Sequence, residues 1–501
     1  ERQVEKLKSR LVFDGRSQSK AQSGNWTASN TPRQSTIMLH FGMAPLCENE
    51  VFMSTDISTA FLRAPQHTAD GSRCVMRMPK DIATFTMVNG KPVENVHILK
   101  RSLYGQRQSS LAYEKLFVSW ACDDPEGPQL KRSTVDPCVF YSKSGLLRMI
   151  VFVDDCNWRG CPKESAELVK MFETRWQAEC KPCKYFLNMR LGRNDEGYIN
   201  VSQPHYADHM AKVFDLQSET KVAKTPLPPG TSVSKLERVN FQQKTHHKME
   251  ASKVTAVQHK SKKHRLSPNE KAVEASQRKT MDAKTNDVPN PVATDALVGK
   301  NLTRFKEAWG QLSYYATATR PDLCYAVSLL GQVSAGPRMR HWRLAQQVIK
   351  YAHHTRTHGI QFRKTSKVNH IECYVDSSFG EGPLARSQTG YVFMFNGGPI
   401  SWASRLQSHT ATSTMEAETS AACDAAKENA FLRDLCHEMG KQQKSETPIH
   451  AREQKVHPQL WVKPPIEYHE DNAACLAFNH QINVTRRNRH MGRPFNLAEE
   501  P

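Results

Sequence analysis

Two adjacent carboxylates, Asp154 and Asp155, close the apolar run over residues 146–153. A run of this kind bounded by turn residues is the pattern of a buried strand, and two anions at its tip repel each other unless cations or solvent offset them. A divalent metal held there would do so; a solvated hairpin turn, which Asp also suits, is the alternative. Upstream, residues 51–62 form a second β-rich segment that ends on a carboxylate, Asp56, with an aromatic, Phe61, five residues later. Taken alone, Asp56 also suits a helix N-cap. Between the two sites, residues 99–108 make a basic and aromatic turn containing Tyr104, Gly105 and Arg107, which leads into a helix expected over 112–120. That turn read alone could equally be ordinary surface.

A second set of acids lies toward the other end of the chain. From about His370 the pattern runs strand, strand, strand, helix, strand, helix. Ile371, Cys373 and Val375 alternate up to Asp376, and strands over 391–395 and 400–403 flank Asn396-Gly397-Gly398, a strong hairpin signal. Ser413 or Thr414 can cap the helix that follows; Ala422, Ala425, Leu432, Cys436 and Met439 recur at helical spacing, and Gly440 supplies a stop. Glu418 falls on or beside that inward stripe, where a carboxylate needs a partner. Residues 466–472 read as the fourth strand, ending in Glu470-Asp471-Asn472, and Ala473 opens another helix.

The order of segments resembles the reverse transcriptase of copia-type long-terminal-repeat retrotransposons. The family's Asp-x-x-x-Ala-Phe-Leu, Ser-Leu-Tyr-Gly and Tyr-Val-Asp-Asp motifs correspond to Asp56 through Leu62, Ser102-Leu103-Tyr104-Gly105 and Phe152-Val153-Asp154-Asp155, with Phe152 in place of the usual Tyr. Lys8-Ser9-Arg10-Leu11-Val12, Met76-Arg77-Met78-Pro79, Phe186 through Leu191 with Ser202-Gln203-Pro204-His205-Tyr206, and Thr319-Arg320-Pro321-Asp322 resemble further family signatures. The resemblance implies that Asp56, Asp154 and Asp155 hold Mg2+ or Mn2+, two ions per active site, for nucleotide addition; such ions sit about 4 Å apart. It implies that Phe61 is a gate against the 2′-hydroxyl, although a core aromatic would look the same, that Tyr104 and Gly105 line the nucleotide pocket, and that Lys8, Arg10 and Arg107 meet triphosphate or template charge. Ser110 stands where the family usually carries Pro.

Residues 366–501 resemble the retroelement ribonuclease H domain through Tyr374-Val375-Asp376, Gly397 through Trp402, Ser413 through Glu418, and Asp471-Asn472. By that pattern Asp376, Glu418 and Asp471 are metal ligands, with Glu418 preferred over Glu416. The family closes the domain with Lys-His-Ile-Asp-Ile; here the match is Arg489-His490-Met491-Gly492-Arg493, and Gly492 cannot bind metal. Asn496 replaces the usual His. A weakened nuclease is expected.

The implied fold is a multidomain α+β chain: truncated fingers and palm over 1–230, a basic disordered linker over 231–300, a helical thumb or connection over 301–365, and a ribonuclease H-like α/β domain. The formal charge of +19 over 501 residues implies a polyanionic partner, while no apolar run approaches the ~20 residues of a membrane span. Expected partners are RNA template, DNA primer, RNA–DNA hybrid, deoxynucleoside triphosphates and other element-encoded Pol and Gag parts. The 13 cysteines show no disulfide-like regularity, so reduced thiols are expected, in virus-like particles of the cytoplasm or in the nucleus and not in a secreted protein. Cys180 and Cys183 lack the second half of a zinc site, and no protease or integrase constellation is present. Glu1 in place of an initiator Met suggests a fragment of a longer polyprotein. The rival reading is a degenerate retroelement remnant that binds nucleic acid without catalysis.

Overall fold

The computed structural model describes residues 11–18, 28–44, 49–66, 71, 73–217, 224–228, 231, 296–365, 370–441 and 466–469. Lys8, Arg10, Asp471, Gly492, Asn496 and nearly all of the basic linker lie outside these described residues.

A helix, α1 (Gln34–Gly42), precedes strand β1 (Val51–Asp56) and the single-turn helix α2 (Ala60–Arg63). Strands β2 (Val75–Arg77), β3 (Phe85–Val88), β4 (Lys91–Glu94) and β5 (Val96–Ile98) form two ribbons, β2 with β5 and β3 with β4. After α3 (Ser109–Val118) come β6 (Lys131–Arg132), β7 (Val139–Tyr141), β8 (Leu147–Phe152), β9 (Asp155–Gly160), α4 (Pro162–Trp176) and β10 (Cys180–Pro182). These strands make a six-stranded sheet in the order β10-β1-β9-β8-β7-β6.

The apolar run ahead of Asp154 is thus a central strand, and its continuous burial follows from having cover on both faces. Leu147, Met149 and Val151 pack with Trp158 against α3 and α4, whereas Ile150 points to the opposite core with α1. The sequence of α4 explains its fit. Cys161 caps it by accepting the Glu164 N–H, Pro162 occupies the first turn, and Ser165, Leu168, Phe172 and Trp176 recur at helical spacing on the buried side. Phe172 stacks on Trp158 with centroids 5.3 Å apart, and Trp158 Nε1 donates to Ser165 Oγ at 2.9 Å. α1 is buried from Ser35 to Gly42, the behaviour of a helix with no solvent face.

Strands β11 (Tyr185–Phe186), β12 (Met189–Arg193) and β13 (Ile199–Ser202) start a second sheet. Helices α5 (Pro204–Val213), α6 (Gly299–Ala318), α7 (Cys324–Gln332) and α8 (Met339–His354) share one core, and β14 (Ile360–Phe362) returns to pair with β13. The helical unit therefore begins earlier than residue 301: α5 belongs to it, and α6 opens at Gly299.

Two of the sequence signatures interlock at the end of α6. Thr319 Oγ1 donates to buried Gln203 at 2.9 Å, Gln34 Nε2 donates to the Ala318 carbonyl at 2.8 Å, and Trp402 Nε1 to the Ala316 carbonyl at 3.0 Å. Orphan carbonyls at a helix end are thereby satisfied by distant side chains. Arg320, 1% exposed, pairs with Asp322 at 2.8 Å and donates to Thr355 Oγ1 at 2.7 Å and its carbonyl at 3.1 Å.

The third sheet holds β15 (Ile371–Ser378), β16 (Gln388–Phe395), β17 (Gly398–Leu406) and, after helix α9 (Thr414–Lys441), β18 (Ile466–His469). Its order is β17-β16-β15-β18, with β18 parallel to β15. Asn396 and Gly397, at φ 50° and 74°, make the two-residue turn expected from the hairpin signal. Ser413 Oγ accepts the Glu416 N–H, so Ser413 is the cap, and Glu416 reaches back to accept the Thr412 N–H and hydroxyl. The inward stripe carries Ala421 rather than Ala422, and the helix runs past Gly440 to Lys441. One continuous core joins this sheet to the first two: Ile371, Phe395, Leu432 and Met439 pack in the same cluster as Ile37, Phe41, Val139 and Ile150.

Arg320→Ala is expected to lower the unfolding free energy by about 2–4 kcal/mol, because it removes a buried cation's bonds and its packing together. Urea denaturation followed by tryptophan emission measures this; a loss under about 0.5 kcal/mol, the range of an ordinary surface change, would show that the Arg320 cluster is not a structural joint.

Candidate active site

Antiparallel register brings the first set of acids together. Along β1 and β9, Phe52 lies opposite Arg159, Ser54 opposite Asn157, and at the open end Asp56 opposite Asp155. Directly opposed residues have Cβ atoms about 4.5–5.5 Å apart, so these two carboxylates share one face of the sheet. Asp154 sits beside them in the loop between β8 and β9, and its carbonyl accepts the Ile57 N–H at 3.0 Å. Only Val153 and Asp154 connect the paired residues Phe152 and Asp155. Val153 takes φ 56°, a left-handed conformation that is strained for a β-branched side chain.

Burial, reinforced by the charge of Asp154 and then of Asp56, pushes the Asp155 carboxyl up to about 6. The donor set is three oxygen acids crowded at a half-buried strand end, which suits a hard divalent cation that uses few carboxylates and keeps ligands for substrate phosphate. Among the described residues no group of three or more His, Cys, Asp or Glu side chains stands arranged to hold a metal ion. Asp56 and Asp155 are adjacent across the ladder, and Asp154 lies in the loop beside them.

Phe61 lies on α2, one turn beyond Asp56. It is half-buried, 4.8 Å between ring centroids from Tyr104 and 6.1 Å from Tyr113. Gly105 has φ 93°, and a Cβ there would fall 2.0 Å from the Phe13 carbonyl oxygen, so glycine is required. The neighbouring Tyr104 carbonyl accepts the Phe13 N–H at 2.7 Å. Arg107 is exposed, with Nε donating to the Gly15 carbonyl at 2.9 Å. Ser110 falls in the first turn of α3, a position that tolerates both Pro and Ser.

The second set is arranged differently. Alternation along β15 turns Ile371, Cys373 and Val375 toward the core with α9, and leaves Asp376 exposed. Asp376 lines an open groove of about 900 Å³ with Asp322, Tyr374, Tyr391 and Trp402, and its Oδ1 accepts the Ser377 N–H at 2.8 Å. Glu418 is 6% exposed in the second turn of α9. The two are not brought into one metal-holding group among the described residues.

Sequence reading missed Asp136 and Glu438. Buried Asp136 accepts Thr36 Oγ1 at 2.6 Å and the Cys138 N–H at 3.0 Å, ordering the turn before β7. Burial raises the Glu438 carboxyl, but hydrogen bonds from Ser133, Thr134 and Tyr141 bring it below the ordinary Glu value. The Asp-Pro dipeptide at 136–137 is a turn signal that could have singled out Asp136; nothing local marks Glu438.

No protein-family model matches the chain. It is 25% identical over 449 residues to the retrovirus-related Pol polyprotein from transposon TNT 1-94 of Nicotiana tabacum, covering 88% of this chain and 28% of that one. It is 34% identical over 129 residues to secreted RxLR effector protein 161 of Plasmopara viticola, covering 26% of this chain and 90% of that one. The Pol polyprotein from transposon RE2 of Arabidopsis thaliana is 31% identical over 183 residues, covering 34% of this chain and 12% of that one. A solved foamy viral protease-reverse transcriptase in complex with double-stranded DNA aligns with TM-score 0.41 at 12% identity, over 92% of this chain and 63% of that one. The chain is similar to retrotransposon Pol polyproteins of the copia type, and it spans only 28% and 12% of the length of the two Pol polyproteins named here. No helix among the described residues is long and apolar enough to cross a membrane.

Asp155 supplies a pH test. Its carboxyl binds a proton more tightly in the folded protein than in the unfolded chain, so this stability is complete below about pH 4 and is lost as pH rises through about 6. Without divalent metal at pH 7.5, Asp155→Asn is therefore expected to stabilise the protein, by up to about 1 kcal/mol after solvent screening. The gain should vanish below about pH 4. Thermal unfolding across that range checks it; a mutant equal to the parent at pH 7.5 contradicts the crowding.

Proposed function

We propose that the chain is an RNA- and DNA-templated DNA polymerase region of a copia-type Pol, linked to a ribonuclease H-like unit whose nuclease is impaired. The observation that carries this reading is the placement of Asp56 opposite Asp155 at adjacent strand ends, with Asp154 in the connecting loop. In this reading the first sheet is the palm, the β2–β5 and β3–β4 ribbons belong to the fingers, and α5 through α8 form the thumb or connection.

Asp56, Asp154 and Asp155 are the residues that would hold Mg2+ or Mn2+. When bound, a pair of such ions supplies positive charge to the attacking primer 3′-hydroxyl and the leaving pyrophosphate. Phe61, packed against Tyr104 and Tyr113, would be the gate against a ribose 2′-hydroxyl. Gly105 lets the Phe13 backbone approach the turn closely enough to shape the pocket wall. The net charge of +19 suits template, primer and hybrid phosphates.

The third sheet, with three antiparallel strands, a long helix and a parallel fourth strand, supports the ribonuclease H-like assignment. Asp376, Glu418 and Asp471 are its candidate ligands, and the glycine at 492 removes the family's last carboxylate. That same replacement favours the second reading, a remnant that binds nucleic acid without catalysis.

Primer extension on an RNA template with Mg2+ or Mn2+ separates the two readings. Extension is expected in the parent and a loss on the order of 100-fold or more in Asp154→Asn, the scale of losing an electrostatic stabiliser. Absence of extension under any condition supports the remnant. Phe61→Ala should admit ribonucleotides while primer binding is retained, and unchanged discrimination would make Phe61 a core residue only.

Hybrid cleavage is expected to be weak in the parent and to rise in Gly492→Asp. Strong parental cleavage that Asp376→Asn abolishes would show instead that another group replaces the missing ligand.

A further inference from the structure

The end of α9 grips the β7–β8 hairpin, whose second strand leads to Asp154 and Asp155. Within β7 and β8, Tyr141 and Arg148 are direct cross-strand partners. Consecutive residues of α9 take one each: Glu438 Oε1 accepts Tyr141 OH at 2.8 Å, and the Met439 carbonyl accepts Arg148 Nε at 3.3 Å and Nη2 at 3.2 Å. Glu438 also accepts the Thr134 N–H at 2.9 Å, Thr134 Oγ1 at 3.1 Å and the Ser133 hydroxyl. Ser133 Oγ in turn accepts the Asp136 N–H at 3.0 Å, so one carboxylate organises the whole turn leading into β7. Arg148 is almost fully buried and its second partner is Glu50, 3.7 Å away. A cation meeting carbonyls at a helix C-terminus is favourable, and more so away from solvent. From Arg148 the strand runs straight to Phe152, which pairs with Asp155.

We infer that the ribonuclease H-like unit serves polymerisation as a brace, with Glu438 a positioning residue that holds the β7–β8 hairpin and through it Asp154 and Asp155. This rests on the polymerase reading of those acids. The unit then has a role that does not depend on cutting RNA, and loss of its nuclease ligands leaves the brace intact.

The test uses the full chain. Glu438→Ala should slow primer extension at saturating nucleotide on the order of 10-fold, since small displacements of reacting groups cost one to two powers of ten, with little change in KM for the nucleotide. Hydrogen exchange should accelerate across Val139–Tyr141 and Leu147–Phe152 in the same protein. Glu438→Gln, which keeps acceptor oxygen for Thr134 and Tyr141, should recover most of both, and Tyr141→Phe should give a milder loss of the same kind if Glu438→Ala fails to fold. Lys427→Ala, at an exposed site on the same helix, is the control expected to match the parent. A folded Glu438→Ala protein that exchanges like the parent, or extends primer at the parental rate, overturns the brace. A parent that extends no primer overturns the polymerase reading on which it rests.

Discussion

The register of β1 against β9 is the constraint on which the site depends. It sets Asp56 opposite Asp155, and a slip of one residue would send one carboxylate to the other face of the sheet. Several independent features hold it. The two-residue loop fixes the β8–β9 pairing at Phe152 and Asp155, the Ile57 N–H ties β1 to the loop, and β10 pairs with the outer edge of β1 at Met53 and Thr55. Beneath the sheet, Trp158, Phe172 and Trp176 form an aromatic layer that admits little sliding. Like charges opposed across a ladder are unfavourable, so the ladder holds them against their repulsion.

The opposite face of the same sheet contains polar groups in an otherwise apolar core. Glu50 lies between Arg159 at 2.7 Å and Arg148 at 3.7 Å, all three side chains at most 3% exposed. His40 of α1 faces Asn157 at 3.0 Å; burial, then the nearby Arg159 charge, keeps its ring neutral well below the usual imidazole range. A buried pair of this kind is weak as a source of stability, but removal of one partner strands a charge. Groups on α1 and at the end of α9 meet this polar layer, His40 at Asn157 and the Met439 carbonyl at Arg148.

The strand-end placement of the three acids of the first sheet was legible in the sequence because apolar or β-rich runs end on charge there, whereas the pairing of Asp56 opposite Asp155 was not, since it depends on register between distant strands. The Asn396-Gly397 turn was legible for a local reason, since both residues must adopt positive φ. Helix α1 was passed over: it is buried from Ser35 to Gly42 and mixes polar with apolar side chains around its circumference, so it has no amphipathic period to detect. The placement of α5 with the helical unit, the Gln203–Thr319 bond and the Glu438 cluster depend on contacts more than a hundred residues apart, which no local pattern encodes. The alternation leading to Asp376 was legible, but the strand runs two residues further to Ser378, and the groove that Asp376 lines with Tyr374 and Trp402 has no local signal.

The single core that joins the third sheet to the first two has a consequence for how such an element can change over time. Exchange of modules between related elements works where a boundary crosses few contacts, as at an exposed linker. Here a crossover between β14 and β15 would separate Phe362 from Phe395, Asn396 from the Gly42 carbonyl to which it donates at 2.7 Å, and Glu438 from Ser133. A transplanted C-terminal unit would have to bring a matching α1 and a matching turn before β7, which lie hundreds of residues away in the gene. Inheritance of the two units as a block is the course this packing favours.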